Sequence, residues 1–166
     1  DFRQCLSIAS FLKEKNLYLS ESRSASLRSI IAQIKSAKAT NGVRAVVIDY
    51  LGFITHNEAK LKRWEQVGEI TKALKNLARA EGLVMVLLSQ LTRAIDSDDR
   101  PNLTHLRESG SVEQDADLVM FIYRDSETES EDGRIIEVAK NRNGDLAAIK
   151  TDFVGERYRF EERASV

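Results

Sequence analysis

Cysteine, proline and tryptophan each occur once in these 166 residues, and histidine twice. A single cysteine, Cys5, excludes an internal disulfide framework and suits a reducing cytosol. His56 and His105 sit in loop-like sequence without a cysteine partner or metal-ligand spacing, which argues against zinc. No Ser-His-Asp order stands out. No apolar run approaches the roughly 20 residues of a membrane-spanning helix, and no basic-then-apolar leader opens the chain. Neither sign of charge dominates: the net charge is −1. A global basic field for nucleic acid is therefore absent, and any such contact has to be local. None of the eight glycines precedes a lysine, so there is no GxxxxGK[ST] loop to cradle phosphates. The first residue is Asp, leading straight into helix-like sequence, which is the expectation for a fragment.

What is present describes one ordinary α/β domain, 42% hydrophobic and 31% charged. Phe2, Leu6, Ile8, Ala9 and Leu12 recur at helical spacing, and Leu17–Leu19 reads as a short apolar strand. Ser20–Ser24 offers N-caps for a helix whose apolar face is Leu27, Ile30, Ile31 and Ile34, and Asn41-Gly42 stops it. Val43–Tyr50 is then a β-branched run ending in an acid, the pattern of a parallel strand buried on both faces. A long helix over Trp64–Ala80 follows, with Val67, Ile70, Ala73, Leu74 and Leu77 as its stripe and Trp64 as a packing anchor. Glu81-Gly82 ends it. Leu83–Leu88 is a second apolar strand, closing in Ser89-Gln90.

Leu91–Asp115 is long for an internal connection and holds Pro101; such loops usually carry function. Leu118–Tyr123 predicts a third buried strand, and Asp125–Asp132 an exposed acidic loop. Ile135–Ala139 and Leu146–Phe153 flank Asn143-Gly144, a type I′ hairpin signal. Helix alternating with buried strand implies a mostly parallel sheet flanked by helices, with an antiparallel hairpin at its edge.

Chemistry concentrates at four places. Asp49 ends an apolar strand, where open α/β sheets put ligand chemistry; it suits the water shell of Mg²⁺, or simply starts a loop. Gln90 ends the neighbouring strand and can bond a terminal phosphate or orient a water, or be satisfied by backbone. Arg107-Glu108-Ser109-Gly110 joins a cation, an acid and a glycine that lets backbone approach a ligand; it is equally a polar loop. Lys140 and Arg142, one residue apart, project to one face of the hairpin. They can reach a phosphate in a neighbouring subunit as an arginine finger does, or merely be solvated.

Taken in order, VVIDYLGFI (Val46–Ile54), LLSQLTRAI (Leu87–Ile95), RPNLTHLRESGSVEQDADLVMFIYRD (Arg100–Asp125) and AKNRNG (Ala139–Gly144) resemble the C-terminal motor domain of DnaB-type replicative DNA helicases of bacteria and phages. The third segment is the most specific, and the likeness covers nearly the whole chain. The resemblance implies a RecA-like P-loop NTPase core, N-terminally truncated, with residues 1–166 as the C-terminal portion of the motor domain. It implies ATP and Mg²⁺ as cofactors, with Asp49 as the acid acting on the metal and Gln90 as the γ-phosphate sensor. Lys140 and Arg142 match the trans-acting pair, so that the nucleotide site comprises Asp49, Gln90, Lys140 and Arg142. Arg107, Glu108 and Gly110 match the loop that grips single-stranded DNA in a ring's channel.

A homo-hexamer concentrates six copies of that modest loop on one strand, which explains why no global basic charge is needed. Primase and a helicase loader are the further partners implied, in the cytoplasm and away from membrane. The family usually has Gln where Gly52 stands and commonly Asn where Thr92 stands. Its phosphate loop and catalytic glutamate lie upstream, before the position of Asp1, so the chain by itself is expected to be inactive. The alternatives are a recombinase-like ATPase of the same fold and a non-catalytic ring scaffold on single-stranded DNA; the RESGSVEQDAD segment argues against the first.

Overall fold

The computed structural model describes residues 11, 15–21, 25–56, 61–91, 100–106 and 110–163. The helix expected from Phe2 to Leu12 lies almost wholly outside them. Leu17–Leu19 is not a strand: it makes no ladder, and all three side chains are exposed. Apolar alternation becomes a strand only beside a pairing partner, and none of the described residues supplies one.

Helix α1 runs Leu27–Asn41. The Ser26 hydroxyl caps its start by accepting from the Ser29 amide at 3.3 Å. Gly42, at φ 65°, closes it in the left-handed conformation that glycine adopts without strain. Strand β1, Ala45–Ile48, follows. Helix α2, Arg63–Glu81, begins with the Glu65 carboxylate accepting from the Lys62 amide at 2.7 Å and ends at Gly82 in the same left-handed cap. Strand β2, Val84–Leu87, lies parallel to β1 in the register Ala45↔Val84 to Ile48↔Leu87.

Both helices cover one face of this two-stranded sheet. Val46, Ile48, Met85 and Leu87 meet Leu27, Ile30 and Ile34 of α1 and Val67, Ile70, Leu74 and Leu77 of α2. The opposite face stays open: Val47 is 66% exposed and Val84 64%. The expectation that Val43–Tyr50 is buried on both sides is therefore corrected. The described residues provide helices for one face only. Trp64 is likewise no anchor; it stands 56% exposed at the first turn of α2, outside the apolar stripe.

Pairing shapes the described part of the long segment after Gln90. Leu91 forms an antiparallel bridge with Leu106, Leu103–His105 makes one 3₁₀ turn, and α3 spans Gly110–Asp115. Four strands then form an antiparallel sheet in sequence order: β3 Leu118–Arg124, β4 Gly133–Asn141, β5 Ala147–Val154 and β6 Arg159–Glu162. The third apolar run thus joins a different sheet from the first two. It is covered on one face, with Val119 and Phe121 buried and Leu118, Met120 and Ile122 exposed.

Neither Asn143 nor Gly144 has positive φ. The β4–β5 connection is not the type I′ turn expected but a longer loop, over residues 142–146. Asn141 organises it, accepting from the Asn143 amide through its side-chain oxygen at 3.3 Å and donating to the Asp145 carbonyl at 3.2 Å. Asp125 is no exposed loop acid; it is 1% exposed and accepts from Arg163 at 3.3 Å.

Among the contacts that join the sheets, two run through α3. Val112 of α3 packs against the cores on both sides, and the buried Thr71 hydroxyl of α2 donates to the Asp115 carboxylate at 2.7 Å. In the protein that carries this chain, Thr71→Val should cost about 1–3 kcal/mol, because it keeps the shape and strands a carboxylate. Thr71→Ser should recover most of that loss. Equal denaturant midpoints for wild type and Thr71→Val would remove this bond from the account.

Candidate nucleotide and nucleic-acid sites

The rim at the C-terminal ends of β1 and β2 is set by backbone bonds. The Leu88 amide donates to Ile48 at 3.0 Å, and the Leu51 amide donates back to Leu88 at 2.8 Å. That register places Asp49 and Ser89-Gln90 on neighbouring strand ends, both exposed. The Asp49 carboxylate makes no hydrogen bond or ion pair with a described residue, and the peptide to Tyr50 is cis. Between the ends opens a cleft of about 220 Å³, lined by Tyr50, Leu51, Gly52, Arg63, Val67, Ser89 and Gln90. Pockets that enclose a whole small ligand start near 300 Å³, so these residues form part of a site.

Arg63 has no sequence signal beyond being the first residue of a helix. Its guanidinium holds the loop after β1, donating to the carbonyls of Gly52 at 2.8 Å and Ile54 at 3.1 Å. Gly52 is explained by Tyr50, whose ring occupies the space a Cβ would fill. The same ring packs on Phe53 at 4.3 Å between centroids.

Among the described residues no three His, Cys, Asp or Glu side chains gather as a metal cage. Mg²⁺ does not require one. It keeps several waters and needs one or two carboxylates, so a free rim carboxylate such as Asp49 fits its hydration shell. The phosphate cradle is the part this sequence does not contain.

Lys140 and Arg142 both turn to the end of α3. The Lys140 ammonium donates to the Glu113 carbonyl. Arg142 donates from Nη1 to Asp117 Oδ1 at 2.9 Å and from its amide to the Asp117 carbonyl at 2.8 Å. No hydrogen bond or ion pair joins either cation to the Asp49–Gln90 rim. Asp117 also accepts from Lys75 of α2. The Lys75 hydrogen bond, with the charges of Lys75 and Arg142 behind it, holds the Asp117 carboxyl below its usual range against the opposing effect of burial. Of the DNA-loop residues, Arg107 and Glu108 lie outside the described residues, as does Thr92. Gly110 opens α3.

The family described as DnaB-like helicase C terminal domain matches residues 1–162. The chain belongs to that family. It is 38% identical over 156 residues to the replicative DNA helicase DnaB of Geobacillus stearothermophilus, covering 90% of this chain and 34% of that protein. It is 36% identical to the replicative DNA helicase DnaC of Bacillus subtilis (strain 168), with the same coverage. The chain thus spans about a third of the length of the curated relatives it matches.

Two solved structures agree. One is a DnaB-like replicative helicase described with its interactions with primase, at TM-score 0.84 and 34% identity over 93% of this chain and 39% of that one. The other is described as an ATPase domain, at TM-score 0.85 and 34% identity, covering 96% of this chain and 59% of that one. The expected α/β RecA-like fold of the DnaB family is borne out. No helix among the described residues is long and apolar enough to cross a membrane.

Beyond Asp117 and Lys75, sequence reasoning missed a buried acid in this DnaB-like domain. Glu137, 8% exposed on β4, is gripped by Arg100 through two bonds of 3.0 and 2.7 Å and accepts from the Tyr123 hydroxyl at 2.8 Å. A lone charge inside the apolar run Ile135–Ala139 was the available signal. The trio ties the chain just before Pro101 to the strand that carries Lys140. Arg100, first of all, holds the Glu137 carboxyl low. Burial, followed by the bond to Glu137, pushes the Tyr123 phenol from 10.0 up to about 12.

A phenol that keeps its proton more tightly folded than unfolded stabilises the fold below its ordinary pKa. That contribution is lost as pH rises through the folded value. The alkaline absorbance difference between wild type and Tyr123→Phe should therefore show a tyrosine ionising near pH 12. A midpoint at the ordinary value would mean that the phenol is neither buried nor bonded to Glu137.

Proposed function

We propose that this chain is the C-terminal portion of a RecA-like motor domain in a replicative DNA helicase. The full-length protein would couple ATP hydrolysis to translocation on single-stranded DNA and duplex unwinding, as a homo-hexamer with ATP at its subunit interfaces. The observation that carries this reading is the family match over residues 1–162, the span that holds the rim acid, the rim amide and the paired cations.

Asp49 would hold Mg²⁺ through its water shell, and the ion would supply neutralisation of phosphate charge there. Asp49 accepts hydrogen bonds from the waters of that ion; its exposed, unpartnered carboxylate supports this role. Gln90 donates its amide to a γ-phosphate oxygen or orients the attacking water. Lys140 and Arg142 act on the ATP of the adjacent subunit, stabilising charge that develops as the phosphoryl group leaves. The absence of contact between these cations and their own Asp49–Gln90 rim supports action in trans.

Arg107, Glu108 and the Gly110 backbone hold single-stranded DNA. The Leu91–Leu106 bridge supports coupling between the two sites, since Leu91 follows Gln90 and Leu106 precedes Arg107. Primase and a helicase loader are proposed partners of the full-length protein, and the cytoplasm its location. The chain by itself should hydrolyse little ATP, because none of its residues form a GxxxxGK[ST] loop.

In the full-length protein Arg142→Ala should lower kcat by about 10³-fold or more while nucleotide affinity holds, as expected of a finger. Wild-type turnover in that variant would sink the assignment. Arg107→Ala should weaken single-strand binding and flatten its dependence on salt by about 0.7 in log–log slope, the loss of one phosphate contact. If the slope stays where it was, Arg107 does not touch phosphate.

A further inference from the structure

Arg142 spends only part of its guanidinium inside its own chain. Nη1 meets Asp117, whereas Nε and Nη2 have no partner among the described residues, and the side chain is 46% exposed. Asp117 divides its two oxygens: Oδ1 takes Arg142 and Oδ2 takes Lys75, a partly buried residue of α2. The Arg142 amide is held by the Asp117 carbonyl as well, so backbone and side chain are fixed by one residue. A carboxylate clamped on a helix at one oxygen and gripping a guanidinium with the other restricts a long, rotamer-rich side chain. The two nitrogens left over form a fork that matches two phosphate oxygens.

We propose that Asp117 is the positioning residue for Arg142: its carbonyl holds the Arg142 amide and its Oδ1 holds Nη1, which aims the free edge of the guanidinium across the subunit boundary, while the bond to Lys75 adds stability rather than aim. This rests on the reading of Arg142 as a trans-acting finger. Asp117 itself touches no substrate; it acts through Arg142.

The experiment compares Asp117→Asn, Asp117→Glu, Lys75→Met and Arg142→Ala in the full-length protein with single-stranded DNA and ATP. Asp117→Asn should lower kcat about 10- to 100-fold, the cost of misplacing a catalytic group by about 1 Å, with KM for ATP unchanged. Affinity for ADP–aluminium fluoride, a transition-state mimic, should fall by the same factor while ADP affinity holds. Lys75→Met removes the anchor but leaves Asp117 its bond to Arg142. It should match the Tm loss of Asp117→Asn and lose markedly less kcat.

Equal kcat losses in Asp117→Asn and Lys75→Met, tracking equal Tm losses, would reduce Asp117 to a structural anchor and overturn the proposal. So would wild-type kcat in Asp117→Asn. If Asp117→Asn does not assemble, Asp117→Glu decides: it keeps the charge but displaces Arg142 by one methylene. A fall in kcat at unchanged Tm supports positioning, and a wild-type kcat overturns it. Wild-type turnover in Arg142→Ala would instead sink the finger reading itself, whereas a dead Arg142→Ala beside an unaffected Asp117→Asn sinks only the positioning.

Discussion

One helix, α2, holds the two halves of this structure in relation to each other. Its apolar stripe covers the parallel sheet, while Thr71 and Lys75, one turn apart, reach Asp115 and Asp117 at the foot of the antiparallel sheet. Thr71 is buried, which makes its bond to Asp115 stronger than an exposed bond of the same type, whereas Lys75 meets a carboxylate that is 51% exposed. Remove them, and the contact between the halves rests on Val112 and its neighbours. The Asp117 that holds Arg142 stands on that junction.

The consequence for chemistry is a division of labour. The rim of Asp49 and Gln90 is exposed and lightly bonded, as suits groups that must meet a ligand and water. The cations sit at the end of β4 and in the loop after it, tethered to Glu113 of α3 and to Asp117 between α3 and β3. A third anchor, Arg100–Glu137–Tyr123, binds the chain entering the Leu103–Leu106 segment to the strand bearing Lys140. Buried ionic groups of this kind are costly unless every partner is present, so the trio fixes one arrangement of those elements.

Much of this was legible in the residues. The helix over 27–41 with its Gly42 stop, the α2 stripe, and the two parallel strands ending in Asp49 and Gln90 all follow from short-range rules. Leu118–Tyr123 was legible as a strand but not as a member of a second sheet. Its uniform apolarity hides that Val119 and Phe121 face a core while Leu118, Met120 and Ile122 do not. Asn143-Gly144 signalled a turn correctly and its type wrongly, because the Asn141 side chain organises a longer loop. Leu17–Leu19 failed for want of a neighbour.

By itself, then, the sequence determined the two long helices with their glycine stops, most of the paired strands, and that an acid and an amide end successive apolar strands. Periodicity and backbone sterics act over a few residues, so they can be read from one segment at a time. Only the tertiary structure decided which strands share a sheet and which sheet faces stay open. It alone made Asp117 the common partner of Lys75 and Arg142 and buried Glu137 between Arg100 and Tyr123. Those pairings join residues 14 to 42 positions apart. Each depends on closing a loop whose entropy is offset only when many such contacts form together, and no local pattern carries that information.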